Sequence, residues 1–270
     1  MFLLAAVLPA VILFWYVYSR DITPEPGNLI LKGFLFGVLS TFLSTLISGP
    51  LMSLGLFTEE PATFVESLKT AFFGAAIPEE SAKLFMLWLL LRKCKEFDER
   101  YDGIVYAAAV GLGFATFENI MYLAASGLGF FSVAISRAFL AVPGHFSFAI
   151  VMGYYYSRHH FSWNKEEKSG AAVKMWLYPV ILHGTYDTIC FASGLSESLS
   201  VLLTFALLFF CFWLFRTTRN KIIAEAADNA KDSGFYSSHK EFYQSTRHQN
   251  NFGRDYKYFY LDDDDSVDEQ

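Results

Sequence analysis

Charge is scarce in this sequence. Asp, Glu, Lys and Arg make up 18% of its 270 residues, where a soluble domain of ordinary composition carries about a quarter. Hydrophobic residues fill 53% and the mean hydropathy is +0.30, which excludes a disordered or fibrous chain and makes a membrane protein the first reading. Cysteine is also sparse. Cys94, Cys190 and Cys211 are too few and too scattered for a disulfide framework or a paired-cysteine metal knuckle. A basic surface is missing as well: the net charge is -6 and much of the acid lies at the C-terminal end, so nucleic acid is excluded as a partner. No internal repeat, glycine-rich dinucleotide loop, Walker loop or H-E-x-x-H zinc motif occurs.

What the sequence does contain is apolar runs long enough to cross a hydrocarbon core of roughly 30 Å. They fall at 2–18, 29–56, 64–91, 102–125, 130–157, 171–193 and 199–215, giving an all-α polytopic membrane protein of about seven transmembrane helices. The second is expected to break at Gly49-Pro50, leaving Leu51 to Phe57 as a re-entrant or interfacial piece. Basic residues alternate between loops. Arg20 lies in the first loop, Arg92, Lys93, Lys95 and Arg100 in the third, Arg158, Lys165 and Lys168 in the fifth, and Arg216, Arg219 and Lys221 after the last span, while loops two, four and six have none. The positive-inside rule then puts the N-terminus outside and the C-terminus in the cytoplasm of a plasma (inner) membrane. Two regions follow: a transmembrane domain over 1–216 and a polar, mostly disordered cytoplasmic tail over 217–270, which includes the acidic run Asp262 to Asp265.

Polar residues inside the spans carry the functional signal. Glu79, Glu80 and Lys83 lie on the third, Glu118 with Asn119 on the fourth, Arg137 and His145 on the fifth, and His183 with Asp187 on the sixth. Each charge at a helix centre costs about 2.5 to 3.5 kcal/mol on insertion scales, so such residues are functional candidates. At a rise of 1.5 Å per residue, Glu80 lies about 18 Å above Arg92, His145 about 20 Å above Arg158, His183 about 14 Å above Lys174 and Glu118 about 24 Å above Asp102. All four occupy one layer between the membrane centre and its outer half. Glu79 and Lys83, Glu118 and Tyr122, and His183 and Asp187 are i,i+4 pairs, and Glu80 and Lys83 are i,i+3, so each helix presents a stacked polar face. Pro78, Pro143 and Pro179 accompany three of these sets, where a missing hydrogen bond opens the helix.

Glu79, Glu80, Glu118 and Asp187 face only two permanent cations, Lys83 and Arg137. Protonated carboxyls, charged histidines or a divalent metal must balance them. A protonated pair yields a general base working near neutral pH. A metal yields a site of His145, His183 and a glutamate, with a position left for water.

Glu79-Glu80-x-x-Lys83, Phe117-Glu118-x-x-x-Tyr122, the lone His145 and His183-x-x-x-Asp187 together resemble the four motifs of the PrsW proteases, in the superfamily of CAAX prenyl endopeptidases and bacteriocin-immunity (Abi) proteins. The likeness covers about 64–195, one motif per successive helix, and implies a four-helix catalytic core. It implies a membrane-embedded endopeptidase acting on a membrane-anchored protein, such as an anti-sigma factor, near the outer surface in regulated proteolysis. It leaves the cofactor open, because PrsW members are often classed as metallopeptidases while the related prenyl endopeptidases are thought to work from the glutamate pair alone. Lys83 and Tyr122 stand where prenyl endopeptidases have Arg and His, which argues against a prenylated substrate.

On this reading Glu79 or Glu80 activates water, with the other held by Lys83. Glu118 is a metal ligand or second acid, and His145 and His183 orient water, bind zinc or stabilise the oxyanion. Asn119 donates to the oxyanion or bonds between helices. Asp187 supports His183, and Arg137 binds substrate, pairs with Glu118 or snorkels. Two other readings compete: a proton-coupled transporter, disfavoured by the lack of repeated halves, and a non-catalytic scaffold of the same fold.

Overall fold

The computed structural model describes the backbone of residues 2–250 and the side chains of 3–230. Helices α1 (Phe2–Tyr18) and α2 (Gly27–Ser53) are joined by a short loop in which Pro24 and Pro26 stop helical propagation. Thr63 opens α3 (Phe64–Lys69) by accepting the Glu66 N–H. A π-helical stretch, Thr70–Ala76, leads into α4 (Ile77–Leu91). Glu99 and Asp102 cap the start of α5 (Arg100–Ala125) reciprocally. Next come α6 (Phe130–Ser136), a second π-helical stretch Arg137–Ala141, and α7 (Val142–Phe161). Asn164 caps α8 (Lys165–Ser193), and α9 spans Glu197–Asn250. Counting each helix pair joined by a π segment as one rod, the described residues form seven rods and no strand.

Two expectations are corrected here. Gly49-Pro50 does not break α2, which ends at Ser53; a proline in the last turn removes one hydrogen bond without ending the helix. The stop comes at Gly55, whose φ of 71° is a left-handed conformation that glycine adopts without penalty. The stretch from 217, expected to be mostly disordered, is helical through Asn250, the last residue whose backbone is described. Thr218, Ile222 and Glu225 are buried, and Arg158 reaches Glu225 at 3.3 Å, so the bundle anchors this part of the helix beyond its apolar segment. Asp262 to Asp265 lie outside the described residues.

Helix α5 is the hub. It is buried on every side from Tyr101 to Thr116, as befits a helix whose small and apolar residues run all round it. A Cβ added at Gly153 of α7 would lie 2.2 Å from the Gly103 carbonyl oxygen of α5, so glycine at that position is what lets the two backbones approach. The outward faces of α1, α2 and α9 are apolar and exposed, with Trp15, Leu46, Phe205, Phe209 and Phe212 among them, as expected of surfaces that meet lipid. Four helices are long and apolar enough to cross a membrane, among the described residues, and α1 is a shorter apolar one.

Loops one, three and five gather at one end of the bundle. The Thr23 hydroxyl donates to Glu99 at 2.8 Å, the Tyr101 hydroxyl donates to the Val17 carbonyl at 3.0 Å, and the Phe97 ring packs 4.9 Å from Phe161. The basic loops therefore share a side, as their alternation requires.

Candidate active site

The π-helical stretches end two residues before Pro78 and Pro143. Widening the helix there accommodates a residue that cannot donate a hydrogen bond and would otherwise strike the preceding turn. As a result the Glu79-Glu80 pair and His145 each sit just past a local distortion. Gly184 admits the neighbouring rod: a Cβ there would come within 2.5 Å of the Phe72 ring, so α8 lies tight against the π stretch and brings His183 to the glutamates.

Lys83 stands at the centre. Its Nζ lies 2.8 Å from Glu80 Oε1, 3.3 Å from Glu79 Oε2 and 3.2 Å from His145 Nδ1, and 3.8 Å above the Phe114 ring. Three N–H groups thus have three acceptors, and the ring faces the cation. Because Lys83 donates to His145 Nδ1, the ring's Nε2–H is the donor to Glu118 Oε2, at 2.8 Å. His183 differs: Nδ1 lies 2.8 Å from Glu80 Oε1, and Nε2 lies 3.2 Å from Asp187 Oδ2 and 3.8 Å from Glu79 Oε2. Both its nitrogens face carboxylates, an arrangement that only the doubly protonated ring satisfies on both sides. A charged His183 offsets one of the excess carboxylates and leaves a single negative charge to be met by a proton; a metal bound through His183 would instead take the place of that ring's second proton.

Glu118 also takes a 2.7 Å bond from Arg137, whose Nε donates to Asn119 Oδ1 at 3.0 Å; Asn119 Nδ2 in turn donates to the Ala6 carbonyl at 3.0 Å. Both ends of Asn119 are engaged, so it bonds between helices. Arg137 pairs with Glu118 and covers the Tyr122 ring at 4.1 Å, which places Tyr122 beside the pair. Two aromatic residues complete the walls and were not singled out from the sequence. Phe148 stacks on His183 at 4.9 Å, and Phe114 lies 5.3 Å from His145. Their spacing held the clue, since Phe148 is three residues after His145 and Phe114 four before Glu118, on the same helical faces.

Burial is graded. Glu80, Lys83, His145 and His183 are buried, whereas the side chains of Glu79, Asp187 and Glu118 keep 14%, 16% and 21% of their surface. Glu79 lies nearer the α3 end of its rod than Glu80, and Asp187 nearer the Ser193 end of α8 than His183. Glu79 and Asp187, each more accessible than its neighbour in the cluster, therefore lie nearer the end of the bundle that carries loops two, four and six.

Ligating atoms of Glu79, Glu80, His145 and His183 all lie within 4.8 Å of one another. Two carboxylates and two imidazoles suit a borderline metal such as zinc, and Glu80 Oε2 is buried with no hydrogen-bond partner. The donor set therefore fits a divalent ion. Glu118, expected as a ligand, is not in it; the Arg137 guanidinium and the His145 ring already hold its oxygen. Lys83 Nζ bonds to three of these four residues, Glu79, Glu80 and His145, so ammonium and metal compete for this centre.

A family profile described as "PrsW family intramembrane metalloprotease" matches residues 25–215. The chain belongs to this family. Proteins named Protease PrsW are similar to it: that of Geobacillus kaustophilus is 40% identical over 192 residues, covering 70% of this chain and 79% of the relative. That of Bacillus subtilis is 33% identical over 211 residues, 78% and 91% of the two chains, and that of Clostridioides difficile 35% identical over 188 residues, 69% and 77%. No solved structure matches. Family membership makes the chain a membrane protease and sets the transporter reading aside. The scaffold reading loses ground too, because each of the four motifs holds at least one ionisable residue.

Proposed function

We propose that the chain hydrolyses a peptide bond of a membrane-anchored protein, of the anti-sigma-factor kind, by water activated in the cluster around Glu80. The observation that carries this reading is the state of the Glu80 carboxylate. Oε1 accepts from both Lys83 and His183 at 2.8 Å, while Oε2 is buried without a partner. An acceptor left bare in that way costs about 1 to 3 kcal/mol and calls for a donor. A water molecule supplies one. Oε2 then takes the proton as the water attacks the scissile carbonyl, and Lys83 and His183 hold the carboxylate in place. Glu79, partly exposed and 3.8 Å from His183, is placed to pass a proton to the leaving nitrogen. The charged His183 and Lys83 favour the developing oxyanion electrostatically. Asp187 orients His183, and Glu118 with Arg137 orients His145.

A divalent metal, if bound, would be held by Glu79, Glu80, His145 and His183, and would polarise the carbonyl and make bound water more acidic. Zinc suits the donors.

Graded exposure toward loops two, four and six, combined with basic residues on the opposite side, supports a site opening at the outer surface. The N-terminus is then outside, the C-terminus cytoplasmic, and the membrane a plasma membrane. The same parity supports a transmembrane domain with its core over 64–195. One assay tests the reading: cleavage of a membrane-anchored reporter by reconstituted protein, with metal analysis and with and without chelator. Zinc lost together with activity assigns the metal form. Activity in metal-free protein assigns the glutamate pair acting alone. A reporter left intact under every condition overturns the proposal.

A further inference from the structure

A second group of carboxylates lies at the other end of α5, about 24 Å along the helix from Glu118. There the loop between α1 and α2 folds against the start of α5. Asp21, Glu99 and Asp102 each offer a carboxylate oxygen, and these oxygens lie within 4.8 Å of one another. Asp21 is 8% exposed and Asp102 fully buried. Each commits one oxygen to the backbone: Asp21 Oδ1 accepts the Thr23 N–H at 3.2 Å, and Asp102 Oδ2 accepts those of Asp98 and Glu99 at 3.0 and 2.7 Å. The remaining oxygens, Asp21 Oδ2 and Asp102 Oδ1, are buried with no donor, and the Asp102 carboxyl lies against that of Glu25. Glu25, also buried, adds a fourth carboxylate and accepts the Tyr106 hydroxyl.

Positive charge is what this group lacks. Among the described residues, none of the ion pairs brings a lysine or arginine to Asp21, Glu25, Glu99 or Asp102. Glu99 is met by neutral donors, the Thr23 hydroxyl at 2.8 Å and the Asn229 amide at 2.5 Å. Buried carboxylates in this number need a proton or a cation between them. The bare oxygens and their spacing favour a cation. Two ligands of one calcium ion, each at about 2.3 to 2.6 Å, can be no more than about 5 Å apart, and an all-oxygen set selects a hard ion over zinc.

We propose that Asp21, Glu99 and Asp102, with Glu25 beside them, form a divalent-cation site of the calcium or magnesium class that fastens the α1–α2 loop to the start of α5. The site is separate from the Glu79–His183 cluster.

The test uses the full chain, purified in detergent and stripped with chelator. Terbium is the probe, excited through tyrosine, since Tyr106 bonds to Glu25 directly. Saturable luminescence, competed away by calcium or magnesium, is expected, with the melting temperature rising as calcium is added. Asp21→Asn and, separately, Glu99→Gln are expected to weaken binding by at least about tenfold, while Glu80→Gln leaves it unchanged. Glu99→Gln keeps an acceptor for Thr23 and Asn229 and so serves if Asp21→Asn fails to fold. Three results would each overturn the proposal: no saturable binding by the wild-type chain at millimolar calcium, wild-type binding in both variants, or loss of the signal in Glu80→Gln.

Discussion

Replacing Glu80 by glutamine isolates the step on which the proposed chemistry depends. The amide retains an oxygen to accept from Lys83 and His183, each now 2.8 Å from Glu80 Oε1, and puts an NH2 group where the bare Oε2 stands. Volume and anchoring survive; only the base is lost. A general base accelerates a reaction by about 10² to 10⁴, which at 1.36 kcal/mol per decade is about 3 to 5 kcal/mol of barrier. Breaking a buried ion pair can cost about as much in stability, but here Lys83 keeps Glu79 and His145 as acceptors and the cluster sheds one surplus negative charge. The melting temperature should therefore stay close to wild type while single-turnover cleavage of the anchored reporter falls by two to four orders of magnitude. Glu79→Gln should lose less, as fits a group that assists the leaving nitrogen. Cleavage within about tenfold of wild type in both variants would refute the assignment, since neither carboxylate would then be removing the proton.

Lys83→Gln strips the buried carboxylates of their closest cation and should destabilise the chain by about 3 to 5 kcal/mol in thermal or denaturant unfolding; zinc titration should show tighter binding than wild type, because the ammonium no longer competes for the donors. Gly153→Val forces side-chain atoms to within 2.2 Å of the Gly103 carbonyl and should cost about 1 to 3 kcal/mol or more, read as earlier unfolding, whereas the same change at exposed Gly129, with nothing near its Cβ, should cost much less. In ion-free protein the Asp21 carboxyl titrates at about 6 against an ordinary 3.8, so the folded state takes up the proton first on acidification. Its contribution to stability is full below about 4 and is lost as pH rises through about 6; melting temperatures measured across that window should fall with rising pH, and Asp21→Asn should lessen that fall without abolishing it, because burial raises the neighbouring Glu25 carboxyl as well.

Much of this architecture can be read in the linear sequence because the rules that govern it are local or additive. Apolar run length fixes which segments become helices, rise per residue puts Glu80, Glu118, His145 and His183 at one depth, and 3.6-residue periodicity stacks Glu79 over Lys83 and His183 under Asp187. The alternation of basic loops fixes which loops share a side, and the contacts among Thr23, Glu99, Phe97 and Phe161 agree with it. Partner choice within the layer depends instead on how each helix is rotated about its axis. That rotation is set by close backbone approaches such as Gly153 on Gly103 and Gly184 on Phe72 and by the π-helical stretches, none of which has a periodic signature. Tertiary structure alone therefore decides that Glu118 turns to Arg137 and His145 and away from the metal-competent set, that both ends of Asn119 are engaged, and that Lys83 takes three acceptors at once. The Asp21, Glu99 and Asp102 cluster was invisible for the same reason: its members lie some 80 residues apart in a loop and a helix cap, and only the packing of α1 against α5 brings their oxygens together.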